Sequence, residues 1–157
     1  MNDSHIKASP LLWSMIVVVA AGAVAWAAYL IAQLEWDSEF VAATALLASL
    51  VMLAGMFPIP VAPRVKAGMT TAPLFAAALV LDPGGAVIAA MAGGVAYQAA
   101  LRFRSPGVRM PWYHTVFNLS ETAISTGVAA FIFDRMADES LISASIFLAA
   151  ASMYLFN

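Results

Sequence analysis

Apolar residues in this chain fall in long runs rather than in alternation, and the runs are separated by short clusters of charge, proline and glycine. Five runs are nearly continuous, over residues 11–34, 40–57, 86–103, 112–133 and 141–157, and one, over 65–81, is interrupted. A half-buried strand would alternate apolar and polar positions, and no such pattern occurs, so the runs predict helices. At about 1.5 Å per residue they reach across a hydrocarbon core of about 30 Å, the second run with little to spare. The expected fold class is all-α: a polytopic membrane helical bundle of six transmembrane helices, the third broken or irregular, forming one transmembrane domain over residues 1–157.

The boundaries carry their own signals. Ser9-Pro10 is a helix-start pair, Pro58 and Pro60 stop the second run, and Asp82-Pro83-Gly84-Gly85 reads as a turn. The third segment holds Lys66, Gly68, Thr70, Thr71 and Pro73 before the apolar stretch Leu74 to Leu81, so only its second half reads as ordinary helix. Thr70 or Thr71 can cap that half-helix, with Pro73 in its first turn. Such an interrupted helix either lines a cavity, as in transporters, or satisfies its backbone at a bend.

Composition agrees with a chain whose surface faces lipid: 63% of the 157 residues are hydrophobic, 10% are charged, and the mean hydropathy is +0.88. Soluble domains average about 25% charged residues. A net charge of −2 without a basic run argues against nucleic acid as a partner. The absence of cysteine removes disulfides, thiolate metal sites and thiol catalysis. The first apolar run exceeds a signal-peptide core and reads as a retained span.

Charge placement orients the bundle. Lys7, Arg64, Lys66, Arg102, Arg104 and Arg109 fall on one side of the alternating spans, and Glu35, Asp37, Glu39, Asp82, Asp134, Asp138 and Glu139 on the other. Basic residues mark the cytoplasmic face. The expectation is therefore a multi-pass protein of the bacterial inner (cytoplasmic) membrane with a cytoplasmic N-terminus. The sixth run stops at Asn157 without a polar flank, which makes this chain an expected fragment whose next part lies inside the cell.

Candidate chemistry gathers on the fifth run. Glu121 is the one ionisable side chain well inside a predicted span, and such residues are often functional. His114, Asn118, Glu121, Thr122 and Ser125 follow a helical stripe that must face the bundle. Counting from Trp112, Glu121 lies roughly 13 Å deep, near the midplane. The stripe can form a polar site or a proton-coupled switch, or it can serve interhelical hydrogen bonding alone. On the fourth run, Ala90, Gly94, Gln98 and Arg102 share a face; with Gly93 they suggest a packing seam for the fifth helix, and Gln98 can reach Glu121 or a ligand. The ligand-binding or switch candidates are thus Glu121, Asn118, His114, Gln98, Ser125, Thr70 and Thr71. Trp36, Trp112 and Tyr113 read as interfacial anchors. His5 and His114 make neither a metal pair nor a haem site, and there is no phosphate loop, nucleophile elbow or paired-carboxylate arrangement. No cofactor, metal or catalytic residue is expected.

From Phe57 onward the order of short motifs is distinctive: Phe57-Pro58, a Thr-containing apolar segment ending in Leu81-Asp82-Pro83-Gly84-Gly85-Ala86, a glycine-containing span, an Arg-rich loop, then Pro111-Trp112-Tyr113 and Val116-Phe117-Asn118. Over roughly residues 50–157 this resembles the N-terminal membrane region found ahead of cytoplasmic output domains in bacterial signalling proteins, notably HD-GYP phosphodiesterases and GGDEF diguanylate cyclases. The resemblance implies a sensory or anchoring module whose output domain, in the same parent chain, makes or degrades a cyclic dinucleotide. The metal-binding residues of that output domain are absent here, and Glu121 stands where the pattern has an amide.

Two functions follow. One is a membrane-embedded input module, with the lipid bilayer and the output domain as partners and a homodimer left open. The other is a small-solute transporter or substrate-capture subunit with a polar site around Glu121, motivated by the broken third segment.

Overall fold

The computed structural model describes residues 10–57, 59–62, 65–67, 69–104, 111–136 and 142–156. Among them are six helices: α1 (Pro10–Ile31), α2 (Ser38–Met56), α3 (Thr71–Val80), α4 (Pro83–Arg104), α5 (Trp112–Met136) and α6 (Ile142–Phe156). Two short strands, β1 (Ile59–Ala62) and β2 (Val65–Ala67), stand between α2 and α3. The calls on Ser9, Lys7, His5, Arg64, Arg109, Asp138, Glu139 and Asn157 lie outside the described residues.

The helices start where local chemistry provides for their unpaired amides. Asp37 is extended, and its carboxylate accepts a 2.7 Å hydrogen bond from the Phe40 amide, so α2 begins two residues before the apolar run does. Pro83, Gly84 and Gly85, read from the sequence as a turn, instead form the first turn of α4, with the Ala86 amide bonded to the Asp82 carbonyl. A proline at the first helical position lacks only an N–H that would have had no partner.

The third segment departs most from expectation. Residues 65–67 pair with 59–62 as an antiparallel ribbon, Ile59 opposite Ala67 and Pro60 opposite Lys66, with an irregularity between Pro60 and Ala62. Pro58, Pro60 and Pro63 exclude a helix there, and Pro60 is tolerated because a two-stranded ribbon has only edges. Helix then runs for ten residues, about 15 Å, half the thickness of a hydrocarbon core. Thr70 adopts helical angles and its side chain makes no capping hydrogen bond, so the expected threonine cap is not formed.

Among the described residues, four helices, α1, α2, α4 and α5, are long and apolar enough to cross a membrane; α3 and α6 are shorter. The outer surface supports that reading. Val18, Phe147 and Tyr154 are 70%, 72% and 86% exposed, a surface suited to lipid and not to water.

Inside, α4 and α5 form a central antiparallel pair: Gly94 meets Leu119 near one end and Gly127 meets Val87 nearer the other. Helix α2 packs on α4 in the same direction, with Gly85 against Phe40, Gly93 against Ala48 and Val51, and Gly55 against the Tyr97 ring. Helix α1 runs parallel to α5, the Trp13 ring meeting Trp112 at 5.3 Å and the Trp26 ring meeting Phe131 at 5.7 Å. Both α1 and α3 pack on the central pair without touching each other, and α6 packs on α5 and α3.

The core between these helices is built of small residues. Ala77, Ala86, Ala89, Ala90 and Ala129 are fully buried. Lipid gives apolar side chains little reason to leave it, so close backbone approach through small residues is what holds such helices together. The glycine seam expected to serve α5 is divided: Gly94 serves α5, whereas Gly93 lies against the α2 backbone.

Gly93→Ala puts a methyl group 2.6 Å from the Ala48 carbonyl oxygen and from Val51 Cβ. It is expected to destabilise the bundle by about 1–3 kcal/mol, read as a lowered melting temperature in nanodiscs. Gly22→Ala, where nothing lies within 4 Å, is expected to leave that temperature unchanged or raised.

Candidate functional site

Polar side chains have few places to go in this bundle, and most bond back to their own helix. Ser14 donates to the Leu11 carbonyl, Ser49 to Ala45, Ser120 to Val116, Thr122 to Asn118 and Ser152 to Ala149, at 2.7–2.8 Å. Ser125 is buried and donates to the Thr122 carbonyl at 3.1 Å. These hydroxyls are settled within one turn, as membrane helices require.

Glu121 and Gln98 are not. They meet in a half-open cleft of about 270 Å³ where α2, α4 and α5 surround the start of α3. Helix α4 contributes Ala90, Gly94, Tyr97 and Gln98 to its walls, and α5 contributes Asn118, Leu119, Glu121 and Thr122. Thr70 and Leu74 close it from α3, and Val51 from α2. Among the described residues, no hydrogen bond engages the side chains of Gln98, Asn118 or Glu121.

Backbone geometry explains the convergence. Positions 90, 94 and 98 are successive four-residue steps on α4, and 118, 121 and 122 are one stripe on α5, so an antiparallel pair in contact at Gly94 and Leu119 turns both stripes to one side. Helix α3 begins at this depth because the β1–β2 ribbon has replaced the helix that would otherwise fill the space.

Of the sequence candidates, Glu121, Asn118, Gln98 and Thr70 therefore share one site, and the Gln98–Glu121 hydrogen bond is not formed. His114 is exposed and packs against the Tyr113 ring at 4.7 Å. Ser125 lies buried beyond the cleft, bonded to its own helix. Thr71 lies on the other side of α3, in a groove of about 850 Å³ with Ala72, Phe75, Ala150, Met153 and Tyr154. Arg102, on the expected face of α4, is exposed and does not line the cleft.

Sequence reasoning missed Tyr97, which lines the cleft while its ring covers Gly55. The available signal was Gly55 near the end of the second run, a position with room for a ring from a neighbouring helix. Among the described residues, four buried polar atoms have no hydrogen-bond partner, Trp26 Nε1 and the hydroxyls of Thr44, Thr115 and Thr126, and none of these residues lines the cleft. Among the described residues, no three His, Asp or Glu side chains gather to hold a metal ion.

Among known families, the family model MASE9 matches residues 29–157, from the end of α1 through α6. No curated protein and no solved structure matches the chain.

The cysteine-free sequence makes access to the cleft measurable. Cysteine at position 118 or 121 is expected to react readily with a small polar methanethiosulfonate reagent, whereas Thr126→Cys, fully buried, is expected to resist it. Equal rates at 121 and 126 contradict an open cleft.

Proposed function

The chain belongs to the MASE9 family of membrane-associated sensory domains, and from that premise we propose that it is the input module of a bacterial signal-transduction protein. It anchors the parent protein in the inner membrane and passes a signal to a cytoplasmic domain that makes or degrades a cyclic dinucleotide. The chemistry of turnover belongs to that domain and not to this chain. The observation that carries the reading is the cleft, where two amides, a carboxyl group and a helix start converge without bonding one another. Their polar atoms stay reachable in the half-open cleft, so a ligand that enters can bond them without displacing an interhelical contact.

Six crossings with a cytoplasmic N-terminus fit the same reading. The arginine-rich end of α4 and the acidic loop after α1 lie on opposite sides. Helices α1 and α5 run one way and α2 and α4 the other, so the chain has to return across the layer between α2 and α4. The β1–β2 ribbon and α3 then make the third crossing between them, an irregular passage of the kind found where a bundle lines a cavity.

Transmission follows from packing. Helix α5 carries Glu121 into the cleft on one face and packs against α6 on another, and α3 touches both the cleft and α6. A ligand that draws α3 and α5 together shifts α6, the element leading toward the output domain. The two-state element required for coupling is thus the seat of α6 on α3 and α5.

Two measurements test the proposal. The parent reading frame is expected to encode a cytoplasmic cyclase or phosphodiesterase domain after this region, and a frame without one overturns the assignment. In the parent protein, Glu121→Gln is expected to change cyclic-dinucleotide output about fivefold or more, within the usual range of coupling energies, at unchanged membrane abundance. Unchanged output removes the cleft from signalling.

A further inference from the structure

We propose that the cleft is loaded from the cytoplasmic side and sealed toward the outside, so that the stimulus read by this module is a small polar solute of the cell interior. This rests on the sensory reading above and adds the side from which the stimulus arrives.

All four helices reach the cleft on the same half of the layer. On α4, Gln98 lies one turn, about 6 Å, before the exposed Arg102. On α5, Asn118 lies about 9 Å beyond Trp112, where that helix starts. Val51 belongs to the last third of α2, and Thr70 and Leu74 stand at the start of α3. In the orientation proposed above this is the cytoplasmic half, marked by Arg102 and Arg104 at the end of α4.

One turn deeper the bundle is closed. The residues that follow the cleft lining toward the outside are Leu47 on α2, Ala77 and Ala78 on α3, Ala86 and Val87 on α4, and Thr126 on α5, and their exposures run from 0% to 8%. Nearby, Gly85 lies so close to Phe40, and Gly127 to Trp26, that a methyl group on either would stand 2.6 Å from the neighbouring ring. A separate pocket of about 160 Å³ at the opposite end of the bundle, lined by Asp82, Asp134 and Arg135 among others, shares no residue with the cleft. An interior packed in this way leaves no passage for a solute between the two. Lipid offers none either, because a polar solute that enters it loses its water. That leaves the water on the Arg102 side.

The walls set the class of solute. The Gln98 and Asn118 amides each donate and accept, and the Glu121 carboxyl group adds acceptors. At about 270 Å³ the cleft falls below the range of roughly 300–1,000 Å³ usual for drug-sized ligands. A small solute with both donors and acceptors suits it.

The test uses the full cysteine-free chain in the bacterial inner membrane, as right-side-out spheroplasts and as inverted vesicles. Two impermeant methanethiosulfonates, one bearing trimethylammonium and one bearing sulfonate, are applied to single-cysteine variants, and the thiols left unblocked are measured after denaturation. Using both signs keeps the readout independent of the charge around the cleft. Arg102→Cys marks one face and Asp134→Cys the other. Asn118→Cys and Glu121→Cys are expected to be blocked by at least one reagent in inverted vesicles, together with position 102, and to lose no thiol in spheroplasts, where position 134 is blocked; either variant suffices should the other fail to fold. Blocking of 118 or 121 in spheroplasts, or from neither side, overturns the loading route, and blocking of 102 in spheroplasts overturns the intracellular source. Those outcomes leave the sensory reading to its own assay of output, and unchanged output on Glu121→Gln defeats that reading even where the loading route holds.

Discussion

Within hydrocarbon every backbone amide and carbonyl must find its partner inside the protein, and from that requirement the rest of this structure follows. Helices satisfy it along their own length, so the chain is helical wherever proline permits. Serine and threonine hydroxyls satisfy it by bonding to the preceding turn, as Ser120 and Thr122 do on α5. Helix association, deprived of a hydrophobic drive, falls to close contact through small residues, and α4 supplies these on two sides, with Gly93 toward α2 and Gly94 toward α5. Among the described residues, Glu121 and Gln98 meet their needs neither locally nor with each other, and unlike the partnerless Thr44, Thr115 and Thr126 hydroxyls they line one cleft. The cleft holds a carboxyl group and two amides together in reserve.

The half-length helix α3 is the second consequence. Prolines at 58, 60 and 63 deny helix to the chain after α2, a two-stranded ribbon takes its place, and α3 starts only at Thr71. A full helix there would have packed along α4 and α5 and filled the space beside Gln98 and Glu121. The cleft beside its first turn is open because it starts late. Structure and proposed function thus share one cause, a run of prolines that interrupts a crossing.

Much of this was legible in the sequence, for reasons that differ by feature. Uninterrupted apolar runs marked five helices to within a few residues, because hydropathy is a local property. The stripe through Asn118, Glu121 and Thr122 was legible because helical periodicity is rigid, and four-residue steps likewise placed Gln98 on the facing side of α4. What was illegible depended on neighbours. The ends of the Glu121 stripe, His114 and Ser125, diverge because the cleft is shorter than the stripe, and its extent is set by where α3 begins. Gly93 and Gly94 are adjacent in sequence but serve different helices, which only the packing of α2 on α4 decides. Tyr97 entered the site because Gly55 admits its ring, a pairing across helices that no local pattern reveals. The ribbon at 59–67 was missed because four- and three-residue strands are too short to show alternation.

The central claim is that α3 starts beside the polar faces of α4 and α5. Cross-linking in native membranes measures this directly with a short thiol-bridging reagent such as dibromobimane, applied to cysteine pairs in the otherwise cysteine-free chain. The account predicts that Thr70→Cys is bridged to Gln98→Cys, and that Val80→Cys, at the far end of α3, is not. Bridging of 80 to 98, or of neither position, would contradict it.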